Sequence, residues 1–215
     1  MKTRFSHWSL RYLWDRSRLY LYELTHPEAP WLTPQAVAFL ESWLQPDHVG
    51  LEWGSGRSTL WFASRVDRLI SIEHDPAWYA HVQNRLLARP RNNVTLILAD
   101  SDSDAYYAPA RELPNGSLDF ALVDGVSATR DRCAECVLPK IRPGGILIID
   151  DIHRYLPSGS RAPRAVPLDG DAASETWTRV ADAVADWELI ETTSGVTDTA
   201  ILRRPAAVDS IDAFA

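Results

Sequence analysis

The residues of this chain best placed to do chemistry are acids and glycines set along alternating apolar runs. In Val49-Gly50-Leu51-Glu52-Trp53-Gly54-Ser55-Gly56-Arg57-Ser58-Thr59-Leu60 an acid precedes a Gly-x-Gly turn. Gly54 and Gly56 admit backbone angles closed to other residues and let a ligand approach the main chain. Ser55 lies between them. Ser58 and Thr59 then open a helix whose first N–H groups lack partners and suit a polar ligand. Glu52 is placed to receive an ammonium group. Glu73 ends a second apolar run 21 residues further on, with His74 beside it. That spacing puts Glu73 near the tip of the neighbouring strand, placed for a ribose diol. A Gly-x-Gly alone is equally a tight structural turn. The strand before it, the helix after it and the acid at the next strand end point to a nucleoside ligand.

Two details favour S-adenosylmethionine over NAD. Ser58 stands where the dinucleotide fingerprint has its third glycine. An acid before the glycines repels a pyrophosphate but suits the amino group of a methionine moiety. Over residues 45 to 204 the chain resembles the class I S-adenosylmethionine-dependent methyltransferases, whose first motif is acid-x-Gly-x-Gly. The resemblance implies a Rossmann-like fold and methyl transfer. It implies that Glu52, Gly54, Ser55, Gly56, Ser58, Thr59, Glu73, His74, Asp100, Ser101 and Asp124 hold the cofactor. Asp100, followed by Ser101, reads as a contact to the adenine edge or as a loop-forming cap. His74 packs beside the adenine or lies on the surface.

Asp124, Asp150 and Asp151 follow the fourth and fifth strands, whose ends should converge. Three carboxylates there repel one another unless a cation or a proton offsets them. Oxygen ligands suit magnesium or calcium. The spacing is similar to that of metal-dependent small-molecule O-methyltransferases, and the resemblance implies Mg2+ at Asp124, Asp150 and Asp151. The alternative is a helix cap plus a substrate-loop contact. Those enzymes often carry a lysine or second acid just past the first Asp; here Gly125-Val126-Ser127 follow, with Arg130 and Arg132 beyond. His153, with an ordinary pKa near 6.5, is then the candidate base beside Asp124. The expected reaction is methyl transfer to an oxygen of a small-molecule acceptor, a sugar, phenol or polyketide hydroxyl. A catalytically inactive methyltransferase-like scaffolding module is the alternative.

The elements that must position these residues alternate. Strands are expected at 49–53, 69–73, 94–99, 118–123 and 146–149, with helices at 57–66, 76–88, 128–140 and 174–186. Pro143-Gly144-Gly145 should turn the chain into the fifth strand. Such alternation specifies a mostly parallel, doubly wound α/β sheet, with ligands beyond the carboxyl ends of its strands. Segments 187–192 and 199–203 flank Ser194-Gly195-Val196 as a terminal antiparallel hairpin. Residues 155–172, with Pro157, Gly159 and Pro163, form a loop, either a lid or a passive insertion. Before the sheet, 9–24 carries a helical apolar stripe, Leu10, Leu13, Trp14, Leu21 and Leu24. It should cover the body or a second subunit as a homodimer contact. Thr33-Pro34 opens another helix. In the resembled family such N-terminal helices often lie over the cofactor. The expected organisation is a helical arm over 1–46, a methyltransferase domain over 47–204 and a tail over 205–215.

Length and composition suit one globular domain of 215 residues with 46% hydrophobic and 24% charged residues. Net charge is −7, which opposes a nucleic-acid partner. Residues 1–20 carry +4, leaving −11 on the other 195. No apolar run is long enough to span a membrane, and the start lacks the apolar core of a signal peptide, so a cytoplasmic protein is expected. Cys133 and Cys136 make a lone C-x-x-C inside a helix, too few ligands for zinc and read as two small buried residues.

Overall fold

The computed structural model describes residues 8–89 and 92–206. Residues 1–7 of the arm, and all but the first two residues of the expected tail, lie outside them. Seven strands form one sheet in the order β3-β2-β1-β4-β5-β7-β6. These are β1 (Val49–Trp53), β2 (Arg68–Glu73), β3 (Val94–Leu98), β4 (Leu118–Val123), β5 (Ile141–Asp150), β6 (Glu188–Thr193) and β7 (Asp198–Arg203). The first five run parallel; β7 is antiparallel to both β5 and β6. The helices are α1 (Leu10–Thr25), α2 (Pro34–Trp43), α3 (Arg57–Ala63), α4 (Pro76–Leu87), α5 (Ala108–Arg111), α6 (Arg130–Val137) and α7 (Glu175–Ala183). No helix among the described residues is long and apolar enough to cross a membrane.

The two-residue period of the strands divides the core. Leu51, Trp53, Ala121, Val123, Leu147 and Ile149 pack on one face with Cys133, Trp177 and Val180. Phe120, Leu122, Ile146, Ile148 and Ile201 pack on the other with Val37, Leu40 and Phe62. Adjacent residues thus point to opposite layers, as the pleat requires. β4 and the second half of β5 are buried on both faces, hence their nearly continuous apolar runs. Cys133 and Cys136 are free thiols in this packing, and burial pushes both pKa values up, that of Cys136 to about 12.

Helix starts follow local chemistry. Thr33 Oγ1 accepts from the Ala36 N–H, with Pro34 in the first turn. Asp75 caps α4 through the N–H groups of Ala77 and Trp78. Each cap of this kind is worth about 1 kcal/mol.

Two expectations change, and one short helix is new. The fifth strand begins before Pro143-Gly144-Gly145: Ile141 pairs with Leu118 and Ile146 with Phe120, so the glycines sit in a bulge of β5. Arg142 Nε donates to Asp119 Oδ1 at 2.5 Å and holds that bulge against β4. The segment between β3 and β4 contains α5, whose four residues are too few to show a period. The apolar stripe of α1 faces outward: Leu10, Trp14, Leu21 and Leu24 are 58–88% exposed, and Leu19 is the helix's one buried residue. The helix meets the body with the opposite face, where Asp15 lies against Gly195 of the hairpin turn.

Candidate active site

At the carboxyl ends of β1, β2 and β4 opens a cavity of about 600 Å3. Gly54, Ser55, Gly56, Ser58, Glu73, His74 and Asp124 line it, as do Trp31, Arg57 and Trp78. Its floor is the glycine turn. Gly54 has φ +94°, and a Cβ there would stand 2.7 Å from the Asp124 carbonyl oxygen, so the turn and the β4 end touch through bare backbone. The Gly54 N–H donates to Ile72 O at 2.9 Å and the Asp124 N–H to Trp53 O at 3.0 Å, which ties the three strand ends together.

Glu73 is 3% exposed and cross-links the turn. Its Oε2 accepts from the Ser55 N–H at 3.0 Å, and its Oε1 from the N–H groups of His74 and Asp75, both at 2.8 Å. His74 Nδ1 lies 2.9 Å from Glu73 Oε1. Opposite, Trp78 Nε1 donates to Ser55 O at 2.6 Å, and the Arg57 guanidinium stacks 5.1 Å from the Trp31 ring centre. These aromatic walls were not read from the sequence. Trp78 follows Glu73 in the first turn of α4, and that position was the available signal.

Glu52 does not line the cavity. Its alternation along β1 turns it under the turn, wholly buried, where Ser71 Oγ donates to Oε1 at 2.7 Å and Thr59 Oγ1 donates to the same oxygen. Oε2 has no hydrogen-bond partner. Burial pushes the carboxyl up to about 7, against the pull of the Thr59 and Ser71 hydroxyls. Thr59 is itself fully buried, and its hydroxyl accepts from the Gly56 N–H at 2.8 Å. Asp100 and Ser101 lie off the cavity too; Asp100 Oδ1 accepts from the Asp102 N–H and closes a loop turn.

The β4 and β5 ends do converge, and the cation between them is Arg130. Its Nη2 donates to Asp124 Oδ1 at 2.7 Å, its Nη1 to Asp150 O at 2.7 Å, and its Nε to Gly125 O at 2.9 Å. Nη1 stands 3.9 Å from Asp150 Oδ2. Asp151 turns away, at φ +56°, to Thr197 Oγ1 at 2.6 Å and to Arg154 Nη1 at 2.9 Å. Among the described residues no three His, Cys, Asp or Glu side chains are grouped to hold a metal ion. Asp124, Asp150 and Asp151 therefore do not fit a magnesium centre: a guanidinium already holds Asp124 and stands beside Asp150, and Asp151 is held by Thr197 and Arg154. Burial raises Asp124 to about 6, with Arg130 pulling the other way and Asp151 adding to the rise. Asp150 is raised well above the usual carboxylate range as well, by burial first and then by Asp124.

His153 does not reach the cavity. It is 0% exposed, its Nδ1 accepts from the Asp198 N–H at 3.3 Å, and its carbonyl is strapped by the Val166 N–H at 2.7 Å. Burial lowers its pKa although Asp198 pulls upward. The start of β7 covers it, a long-range contact that local sequence does not reveal.

The residues present fit S-adenosylmethionine. A cavity of this size suits a small-molecule cofactor. The glycine turn offers close main-chain approach, and Glu73 stands on the wall.

Residues 51–152 match the family model of a methyltransferase domain. No curated protein matches the chain. A Corynebacterium glutamicum protein of known structure is 11% identical, covers 91% of each chain and superposes with a TM-score of 0.60. SMU.1697c of Streptococcus mutans, solved in complex with SAH, is 12% identical over 77% of this chain and 93% of its own, with a TM-score of 0.50. The N-methyltransferase NodS of Bradyrhizobium japonicum is 16% identical over 80% of this chain and 93% of its own, also at 0.50. The chain spans 65% of the length of a "possible exported protein" of Bordetella parapertussis.

Proposed function

We propose that this chain, whose residues 51–152 match a methyltransferase-domain model, is a class I S-adenosylmethionine-dependent methyltransferase and moves the methyl group to an oxygen of a small-molecule acceptor. The observation that carries the reading is Asp124: it stands on the wall of the cavity built from Gly54, Gly56 and Glu73, just past the end of β4.

The cofactor supplies an already activated methyl group on a sulfonium, so the protein's task is alignment and exclusion of water. Gly54, Ser55 and Gly56 present main chain to the methionine portion, and Ser58 lies at the start of α3 beside them. Glu73 would meet the ribose hydroxyls, and His74, Trp78 and Trp31 would flank the base. Glu52 holds Thr59 and Ser71 beneath the turn. Bound S-adenosylmethionine would supply the methyl group to the acceptor oxygen, and Asp124 would take the hydroxyl proton. A carboxylate with pKa near 6 is a competent acceptor for that proton near neutral pH. Arg130 fixes Asp124 in place and offsets its charge.

The test is SAH release from S-adenosylmethionine with panels of hydroxyl-bearing and amine-bearing acceptors, read with the mass of the methylated product. Methyl ethers from the hydroxyl panel support the reading; N-methyl products alone overturn the choice of oxygen.

The outward stripe of α1 supports a second element of this reading. Leu10, Trp14, Leu21 and Leu24 face solvent on a basic arm, while the rest of the chain is strongly acidic. Pairing with a second copy buries the stripe and brings opposite charges together.

A further inference from the structure

A second cavity, of about 610 Å3, lies between α1, the loop around Gly159–Arg161 and the β6–β7 hairpin. It shares no lining residue with the cavity at the glycine turn. Both sit at the same edge of the sheet: Asp150, at the end of β5, pairs with Thr199 at the start of β7.

Its chemistry divides by wall. On the hairpin side Asp198 is 1% exposed and lines the cavity. Its Oδ2 faces His153 Nδ1 at 3.9 Å, and its Oδ1 has no hydrogen-bond partner. A buried carboxylate oxygen without a donor costs free energy that a ligand's N–H group recovers. Glu191 stands on the same wall, and burial with the nearby Asp198 raises its pKa. On the facing side Arg11 is paired with Asp15 at 3.8 Å. Arg18 and Arg161 line the cavity, and among the described residues neither has an ion pair.

A simple cation would meet those two guanidiniums, and a simple anion would meet the two hairpin carboxylates. A ligand with both charges satisfies each wall. We propose that this cavity binds a zwitterionic ligand of the amino-acid type, its ammonium group at Asp198 and Glu191 and its carboxylate at Arg18 and Arg161. The inference does not depend on methyl transfer.

The experiment is calorimetric titration of the full chain with 6-aminohexanoate, alongside hexylamine and hexanoate, which each lack one charge. The expected result is saturable binding of the zwitterion, with each single-charge analogue at least about tenfold weaker. Glu191→Gln and Asp198→Asn should each weaken the zwitterion by at least about tenfold while SAH affinity stays unchanged. Should Asp198→Asn fail to fold, because it also meets His153, Glu191→Gln on edge strand β6 carries the test. No saturable binding of the zwitterion, equal binding of either analogue, or unchanged affinity in Glu191→Gln overturns the proposal. Failure of SAH to bind wild type bears on the methyltransferase reading alone.

Discussion

Arg130 Nη2 stands 2.7 Å from Asp124 Oδ1, while Nη1 of the same guanidinium reaches the main-chain oxygen of Asp150 at 2.7 Å. One side chain from the first turn of α6 thus joins the ends of β4 and β5. It supplies the positive charge that the neighbouring carboxylates require.

Removing that charge should be costly. Arg130→Met leaves Asp124 and Asp150 without their counter-ion, and breaking a buried pair costs about 3–5 kcal/mol. Both carboxyls already have raised pKa values, so their stability contribution is present at low pH and lost as pH rises through the folded value. Urea denaturation should therefore show a larger deficit for the variant at pH 8 than at pH 5. Equal deficits at both would contradict this electrostatic role.

The same cluster bears on metals. With Arg130 between Asp124 and Asp150, EDTA should leave the melting temperature and SAH affinity unchanged. A melting temperature lowered by EDTA and restored by magnesium would overturn this account of the strand ends.

Glu52 gives a second pH signature. Its folded pKa is raised from 4.5 to about 7 by burial. Stability from the protonated carboxyl is complete below pH 4.5 and lost progressively as pH rises through 7. Glu52→Gln should match wild type near pH 4.5 and exceed it at pH 8, by on the order of 3 kcal/mol. Chemical denaturation at the two values checks the sign; a variant less stable at pH 8 refutes it.

The α1 stripe predicts association. Trp14→Glu with Leu21→Glu should shift sedimentation toward the monomer and leave the far-ultraviolet circular dichroism unchanged. Wild type sedimenting as a monomer at all concentrations would remove the dimer from the account.

Much of the architecture was legible because it is local. The apolar runs of β1, β4 and β5, the Thr33-Pro34 cap and the Gly54-Ser55-Gly56 turn each encode their conformation over a few residues. What escaped depends on distant partners. The burial of His153 is imposed by β7, whose first residue, Asp198, lies 45 residues further along the chain. Arg130 was visible as an arginine past Asp124, but its reach to Asp150 depends on how β4 and β5 align. Glu52 was placed on the correct strand end, and the pleat then turned it under the cavity instead of into it. The outward face of α1 follows from the same limit: periodicity reveals a stripe and not what covers it.

The central claim is that the cavity over the glycine turn holds S-adenosylmethionine, and Gly56 offers its most direct test. Gly56 has extended backbone at φ 169°, and the nearest neighbour of an added Cβ would be Trp78 Nε1 at 3.6 Å. Gly56→Leu should fill the cavity without straining the chain. Calorimetric titration with SAH should give wild-type binding on the order of micromolar, and a loss of at least about tenfold in Gly56→Leu at unchanged melting temperature. Equal affinity in the two proteins, or preference of wild type for NAD, would contradict the account.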